Sequence, residues 1–423
     1  MAVPNQFKQT KLIIATTIGS IFEIFDFISF VFLTPILVDV FFPKLLVNKA
    51  MWFTYLTIAI SYLLRPIGGV ILGHLGDKYG RKSVFSISIL LMSLPSLLIA
   101  LLPGYQQIGY LATGLLILLR LCQGFSVGGE VPGSITYVAE KLKRSNYILA
   151  CAWLTFGANF AVASGSQLIH LLSNSLSDTA MHQYGWRLPF LLGSLLTIVG
   201  YYIRQRISES EAYQELREQK QLDKSPIKDL LTNFRAPVLC GILLAVLVSL
   251  STSIFHVFLP NLMVVYYHLP FSASAGVSSS GALALALSSI AAALLSKWIN
   301  PFLILRLSCG GLIIIFSLIF SSLVALDQAW QLYLWVIIIS LVLGGINGLF
   351  FAKLADLFPT KVRYSGVAVC YNIAYIFGAG LTPIWSSTVL ALTHSYHAII
   401  GVCLIVALVA LINTFKLQGL AKY

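Results

Sequence analysis

The chain of 423 residues is 58% hydrophobic and only 10% charged, where an ordinary soluble domain carries about 25% charged residues. This composition excludes a water-soluble enzyme and implies a helical integral membrane protein. The net charge of +12 does not imply nucleic-acid binding, because the basic residues gather in short loops between apolar stretches. Cys122, Cys151, Cys240, Cys309, Cys370 and Cys403 all lie in apolar segments without CxxC spacing. They read as small core residues, neither disulfides nor metal ligands.

In chain order, apolar segments near 12–38, 51–73, 83–102, 108–132, 147–172, 186–203, 236–266, 272–296, 302–324, 330–352, 364–391 and 394–415 predict twelve membrane-spanning helices. Each is near the roughly 20 residues that a bilayer requires. The first is too long for the apolar core of a cleavable leader, and no small-residue cleavage site follows it. The longest polar stretch, 204–235, predicts a linker between an N-terminal six-helix bundle (1–203) and a C-terminal one (236–423). Within it, "SESEAYQELREQK" predicts a short surface helix.

With the N-terminus inside, most of the 27 basic residues fall on the cytoplasmic side, and only Lys44, Lys49 and Arg187 fall opposite. The positive-inside rule therefore places both termini in the cytoplasm. Arg65 and Arg120 lie within spans.

Segment one contains "EIFDF". Glu23 and Asp26 are three residues apart and share a helix face, inside a span where each charge costs about 2.5 to 3.5 kcal/mol. Burial and a neighbouring like charge both favour the protonated form, so the pair suits a proton carrier; the alternative is structural pairing with a basic neighbour. Segment four carries Arg120 and Glu130, which ten residues separate by roughly 15 Å, too far to pair. Arg120 is expected to meet Glu23 or Asp26, or to hold a substrate carboxylate through its planar fork; a fixed Arg–acid bridge is the alternative. Glu130 is a second proton-carrier candidate. Gly124, Gly128, Gly129 and Gly133 around them form small-xxx-small patterns that allow close helix contact. In the second half, His256, Asn261, Asn347, Tyr371 and Asn372 are the polar candidates, and Tyr371 and Asn372 are the expected substrate contacts.

The loop after segment two reads "GHLGDKYGRK". With Gly73, Leu75, Asp77, Gly80, Arg81 and Lys82 it fits G-x-L-x-D-x-x-G-R-K, and the chain resembles the major facilitator superfamily. "EIFDF", "RPIGG", "RLCQGFSVGGE", "GWRLPFLLG" and "LFPTKVRYSG" followed by "YN" are similar to the metabolite:proton symporter branch. Members of that branch carry proline/betaine, α-ketoglutarate, citrate or shikimate. The resemblance implies two pseudo-symmetric bundles rocking about a midplane site in the bacterial inner membrane. It implies import of a small polar metabolite, an organic acid or a zwitterion, together with a proton.

The resemblance also implies that Asp77 receives hydrogen bonds from the start of helix eleven and holds the cytoplasmic side closed, with Gly73 and Gly80 allowing the approach and Arg81 and Lys82 beside it. Glu140, Arg144, Asp356 and Arg363 are expected to form ion pairs between the bundles. Two features depart from the family pattern. The loop between segments eight and nine, "SKWINPFLILR", lacks an acid, and the extended coiled-coil tail of some proline/betaine carriers is not found after segment twelve. A proton-antiport exporter of drugs or siderophores and a non-transporting receptor of the same fold remain alternatives. No GxxxxGK[ST] motif is present, which argues against ATP-driven pumping. No cofactor or metal is expected, nor any enzymatic activity; the partners are the cargo, the proton and membrane lipid, and the chain is expected to be a monomer.

Overall fold

The computed structural model describes residues 6–43, 59–142, 144–205, 211–219, 226–259, 271–321 and 329–420. The first half contains α1 (Gln6–Phe41), α2 (Ala59–Tyr79, broken at Leu64), α3 (Arg81–Leu101), α4 (Tyr110–Lys141), α5 (Arg144–Ser175) and α6 (Arg187–Gln205). The second contains α7 (Arg235–Ser253, continued by a π turn Ile254–Phe258), α8 (Phe271–Leu295), α9 (Pro301–Phe320) and α10 (Ala329–Ala355). It closes with α11 (Arg363–Tyr375, a π turn Ile376–Gly380, then Thr382–Thr393) and α12 (His397–Leu420). Among the described residues, eleven helices are long and apolar enough to cross a membrane, and α6 is the twelfth long helix. The predicted order of spans holds, although α1 and α4 run beyond their apolar segments. Residues 51–58 and 260–266 of the second and seventh predicted spans, with Asn261 among them, lie outside the described residues.

Helix ends follow local chemistry. Gly80, at φ 115°, turns the chain sharply between α2 and α3, a conformation that side chains with a Cβ resist. Asn300 caps α9 by accepting from Phe302 N–H at 2.9 Å, and Pro301 takes the first turn.

Both halves use one packing device. On α4, Gly124 and Gly128 lie against the Ser61 and Arg65 backbone of α2, where any Cβ would overlap a carbonyl. On α10, Gly344 and Gly348 lie likewise against Ser288 and Ser289 of α8. Glycines four apart let two backbones approach where lipid supplies no hydrophobic driving force. Leu98, Leu195, Leu307 and Ile412 on α3, α6, α9 and α12 are exposed, as lipid-facing residues must be.

Within the halves, α1 packs on α5, α2 on α4 and α3 on α6; α7 packs on α11, α8 on α10 and α9 on α12. Two seams join the halves, α2 with α11 and α5 with α8 and α10. One apolar core crosses the boundary, combining Ile135, Val138, Leu142 and Tyr147 with Leu354, Leu357 and Phe358. The linker supplies two short helices, Glu211–Glu218 and Pro226–Asn233. The first coincides with the predicted surface helix.

Candidate functional site

A cavity lies between the halves. From the first half it is lined by Phe27, Tyr62, Arg65, Thr155 and Asn159, and from the second by His256, Asn347, Phe351, Tyr371 and Tyr375. Both π turns of the second half reach it, through His256 and Val257 on one and Ala379 on the other. Such bulges recur at functional sites because they free backbone groups and re-aim side chains.

Arg65 is the one arginine or lysine among these lining residues. It is 2% exposed, and its guanidinium lies 4.1 Å from the Tyr62 ring centre and 4.6 Å from that of Phe27. Its Nε has no hydrogen-bond partner, and no carboxylate among the described residues pairs with it. A buried cation is costly without a counter-charge, and none is seen for Arg65 among the described residues. The second half contributes an aromatic wall: Tyr371 stacks on Tyr375 with centroids 4.1 Å apart, and Phe351 lies 6.3 Å from Tyr371.

Asp26 is fully buried, and it does not line the cavity. Its Oδ2 accepts from Gln123 Nε2 at 2.8 Å, and the same nitrogen donates to Ser96 at 2.7 Å. Gln123 Oε1 in turn accepts from Arg120 Nη1 at 2.7 Å, while Arg120 Nε donates to Ser61 at 3.1 Å. The expected contact between Arg120 and Asp26 is therefore bridged by Gln123. Asp26 Oδ1 and Arg120 Nη2 have no hydrogen-bond partner. Arg120 lies 3.6 Å from the Phe30 ring centre and 5.4 Å from that of Phe27, so both guanidinium groups lie near the Phe27 ring.

Several predicted residues take other places. Arg120, expected at the substrate, is sealed behind aromatic rings and touches no part of the cavity. Asn372 is fully buried and donates to Gly128 O at 2.7 Å and Ala368 O at 2.9 Å, tying α11 to α4 outside the cavity. Tyr371, one residue earlier, does line it. Glu130 accepts from Ser88 at 2.6 Å in a separate, smaller cavity inside the first half. The Glu23, Arg81 and Arg144 side chains lie outside the described part of the structure.

At the end where α2 finishes and α11 begins, Asp77 Oδ2 accepts from Ser365 N–H at 2.9 Å and Ser365 Oγ at 2.7 Å. Val362, at the cap position of α11, supplies no side-chain bond. A carboxylate from α2 thus meets the positive end of α11. Gly76 leaves room for the Tyr364 ring, whose Oη donates to Gly129 O at 2.8 Å, and Gly73 faces the Ser365 backbone. Lys82 sits in the first turn of α3. Arg363 Nη1 lies 3.8 Å from Glu140 Oε1, joining the halves. Asp356 instead pairs with Lys353 of its own helix at 2.8 Å and is reached from α5 by Tyr147.

Sequence reasoning missed Gln123, Ser61 and Ser96 of the buried network, the wall residues Phe351 and Tyr375, and Tyr147. One signal was available: Gln123 stands three residues after Arg120, on the same face of α4. Arg65, noted as a cation within a span that would suit an anion, was assigned no site.

A cavity between two six-helix halves of a multi-pass membrane protein defines a carrier for small molecules. The Major Facilitator Superfamily model matches residues 16–379, and the chain belongs to that family. It is 30% identical over 427 residues to the glycine betaine/proline/ectoine/pipecolic acid transporter OusA of Dickeya dadantii, covering 97% of this chain and 84% of that one. It is 29% identical over 430 residues to the proline/betaine transporter of Escherichia coli K12, covering 98% and 84%. The fold is similar to that of the proton:xylose symporter XylE bound to 6-bromo-6-deoxy-D-glucose, with a TM-score of 0.82 at 13% identity over 99% of this chain and 97% of that one. The protein is a transporter, not an enzyme.

Proposed function

We propose that the chain imports a small zwitterion of the proline/betaine type together with a proton, by alternating access between its two halves. The observation that carries this reading is Arg65, a buried cation with no acid partner among the described residues, facing a cavity whose other half is aromatic. The substrate carboxylate binds the guanidinium fork of Arg65 with charge-assisted hydrogen bonds. Its ammonium group lies against the rings of Tyr371, Tyr375 and Phe351, whose negative faces attract a cation, including a quaternary ammonium that has no N–H to donate. The names of the sequence relatives support the same class of cargo.

The proton binds at Asp26, with Glu23 and Glu130 as further carboxylates of the same half. Phe27 links the two ligands physically: its ring touches Arg65 at the cavity and faces Arg120 in the Asp26 network. Protonating Asp26 removes the negative charge that orients Gln123 and, through it, Arg120. A substrate carboxylate arriving at Arg65 adds negative charge near the same ring. A proton on Asp26 and a carboxylate at Arg65 together leave the net charge of the half unchanged, the condition in which it rocks most readily.

The Asp77–Ser365 contact and the Glu140–Arg363 pair hold one end closed. The basic loops make that end cytoplasmic, with both termini inside a bacterial inner membrane and residues 204–235 joining halves 1–203 and 236–423 of a monomer. Proteoliposomes with an imposed pH step test the reading directly. Betaine or proline should accumulate when the outside is acidic and should fail to accumulate without the step. Accumulation of dicarboxylates instead, or indifference to pH, would overturn it.

A further inference from the structure

Asp77 fastens the α2–α11 seam, and the loop between α8 and α9, "SKWINPFLILR", contains no acid. The structure shows a different device on the α5 flank. Tyr147, in the first turn of α5, donates its Oη to Asp356 Oδ1 and also reaches Ala352 O at 3.4 Å. Asp356, one residue beyond α10, is held on its other oxygen by Lys353 at 2.8 Å. Tyr147, Lys353 and Asp356 are 5%, 7% and 4% exposed. Three polar groups from both halves are therefore buried together at the Asp77 end.

We propose that Tyr147, acting through Asp356, forms a second latch on the α5–α10 seam and is a positioning residue for the closed state; the inference rests on the alternating-access reading above. Lys353 neutralises Asp356 at i+3, so the cluster can be buried without a net charge. The phenol is the member contributed by the first half. When the seam opens, all three groups meet water and lose little, because a hydrogen bond exchanged for water changes free energy only modestly. Two weak latches on opposite flanks keep both seams shut, and either one alone leaves the other flank free to pivot.

Cys151 is a native reporter. It lies one turn further along α5, fully buried in the same core cluster as Tyr147. In the full-length protein, N-ethylmaleimide modification of Cys151 can be followed by peptide mass spectrometry. Tyr147→Phe removes one oxygen and should speed that modification roughly fivefold, the value of one hydrogen bond. In proteoliposomes the same variant should raise KM for substrate from the outer side and lower it from the Asp77 side by comparable factors. A merely loosened structure would not give this reciprocal shift. Unchanged labelling, or KM values that move in the same direction on both sides, would overturn the proposal. Should Tyr147→Phe fail to fold, as judged by thermal melting, Asp356→Asn is read by the same two measurements against the same outcomes. Wild-type vesicles without proton-driven uptake would overturn the proposed function alone, since Cys151 labelling reports the latch without transport.

Discussion

Where α1 meets α4, the first half buries Asp26, Gln123 and Arg120 in one hydrogen-bonded chain. The matching place in the second half, where α7 meets α10, holds His256, whose Nε2 lies 3.2 Å from Ser340 Oγ, with no charged group attached. The glycine seams of α4 and α10 are alike, so the two halves share their packing and differ in their charge. At the cavity the second half places two π turns and a stacked aromatic pair, whereas the first half's π turn, Met181–Gly185, and stacked pair, Phe156 with Phe160, lie away from it. Under the proposed function the difference divides the work: fixed charge for the proton and the carboxylate on one side, an adaptable aromatic surface for the rest of the cargo on the other.

That division can be broken at each of its parts. The largest effect is expected for Asp26→Asn, which should abolish accumulation driven by a pH gradient while leaving counterflow exchange of substrate, measured in vesicles without a gradient. Loss of both activities together would mean that Asp26 serves folding or binding and carries no proton. Arg65→Gln should raise KM about 10- to 100-fold, the range for a hydrogen bond to a charged group, and should affect a carboxylate-free analogue such as choline far less. Equal losses for both compounds would remove Arg65 from carboxylate recognition. Tyr371→Leu should weaken a quaternary ammonium substrate by about 2- to 30-fold, the span of a cation–π contact, measured as binding to the purified carrier. The smallest effect is expected for His256→Gln, with the pH profile of uptake unmoved. A shifted profile would place a titrating group in the second half and erase the comparison.

The twelve spans were legible because hydropathy alone marks segments that must satisfy their backbone inside lipid. The Asp77 loop was legible because an acid and glycines at fixed spacing have few other uses between spans. The direction in which each buried polar residue points was not. A helix that is apolar all round has no stripe to show which face meets the cavity, so Arg120 and Arg65 looked equivalent in the sequence. Only packing reveals that Arg120 lies behind Phe30 while Arg65 reaches the cavity, and that Asn372 turns to Gly128 while its neighbour Tyr371 turns inward. The Gln123 bridge escaped for a related reason: a neutral amide gives no hydropathy signal as sharp as a charge.

Proton binding linked to substrate binding is the most direct test of the account. Betaine added to the purified carrier in weakly buffered detergent solution should cause proton uptake from the medium, read with a pH indicator. Uptake should persist in His256→Gln and vanish in Asp26→Asn. Proton uptake that survives in Asp26→Asn, or that disappears in His256→Gln, would contradict the assignment of the proton to the first half.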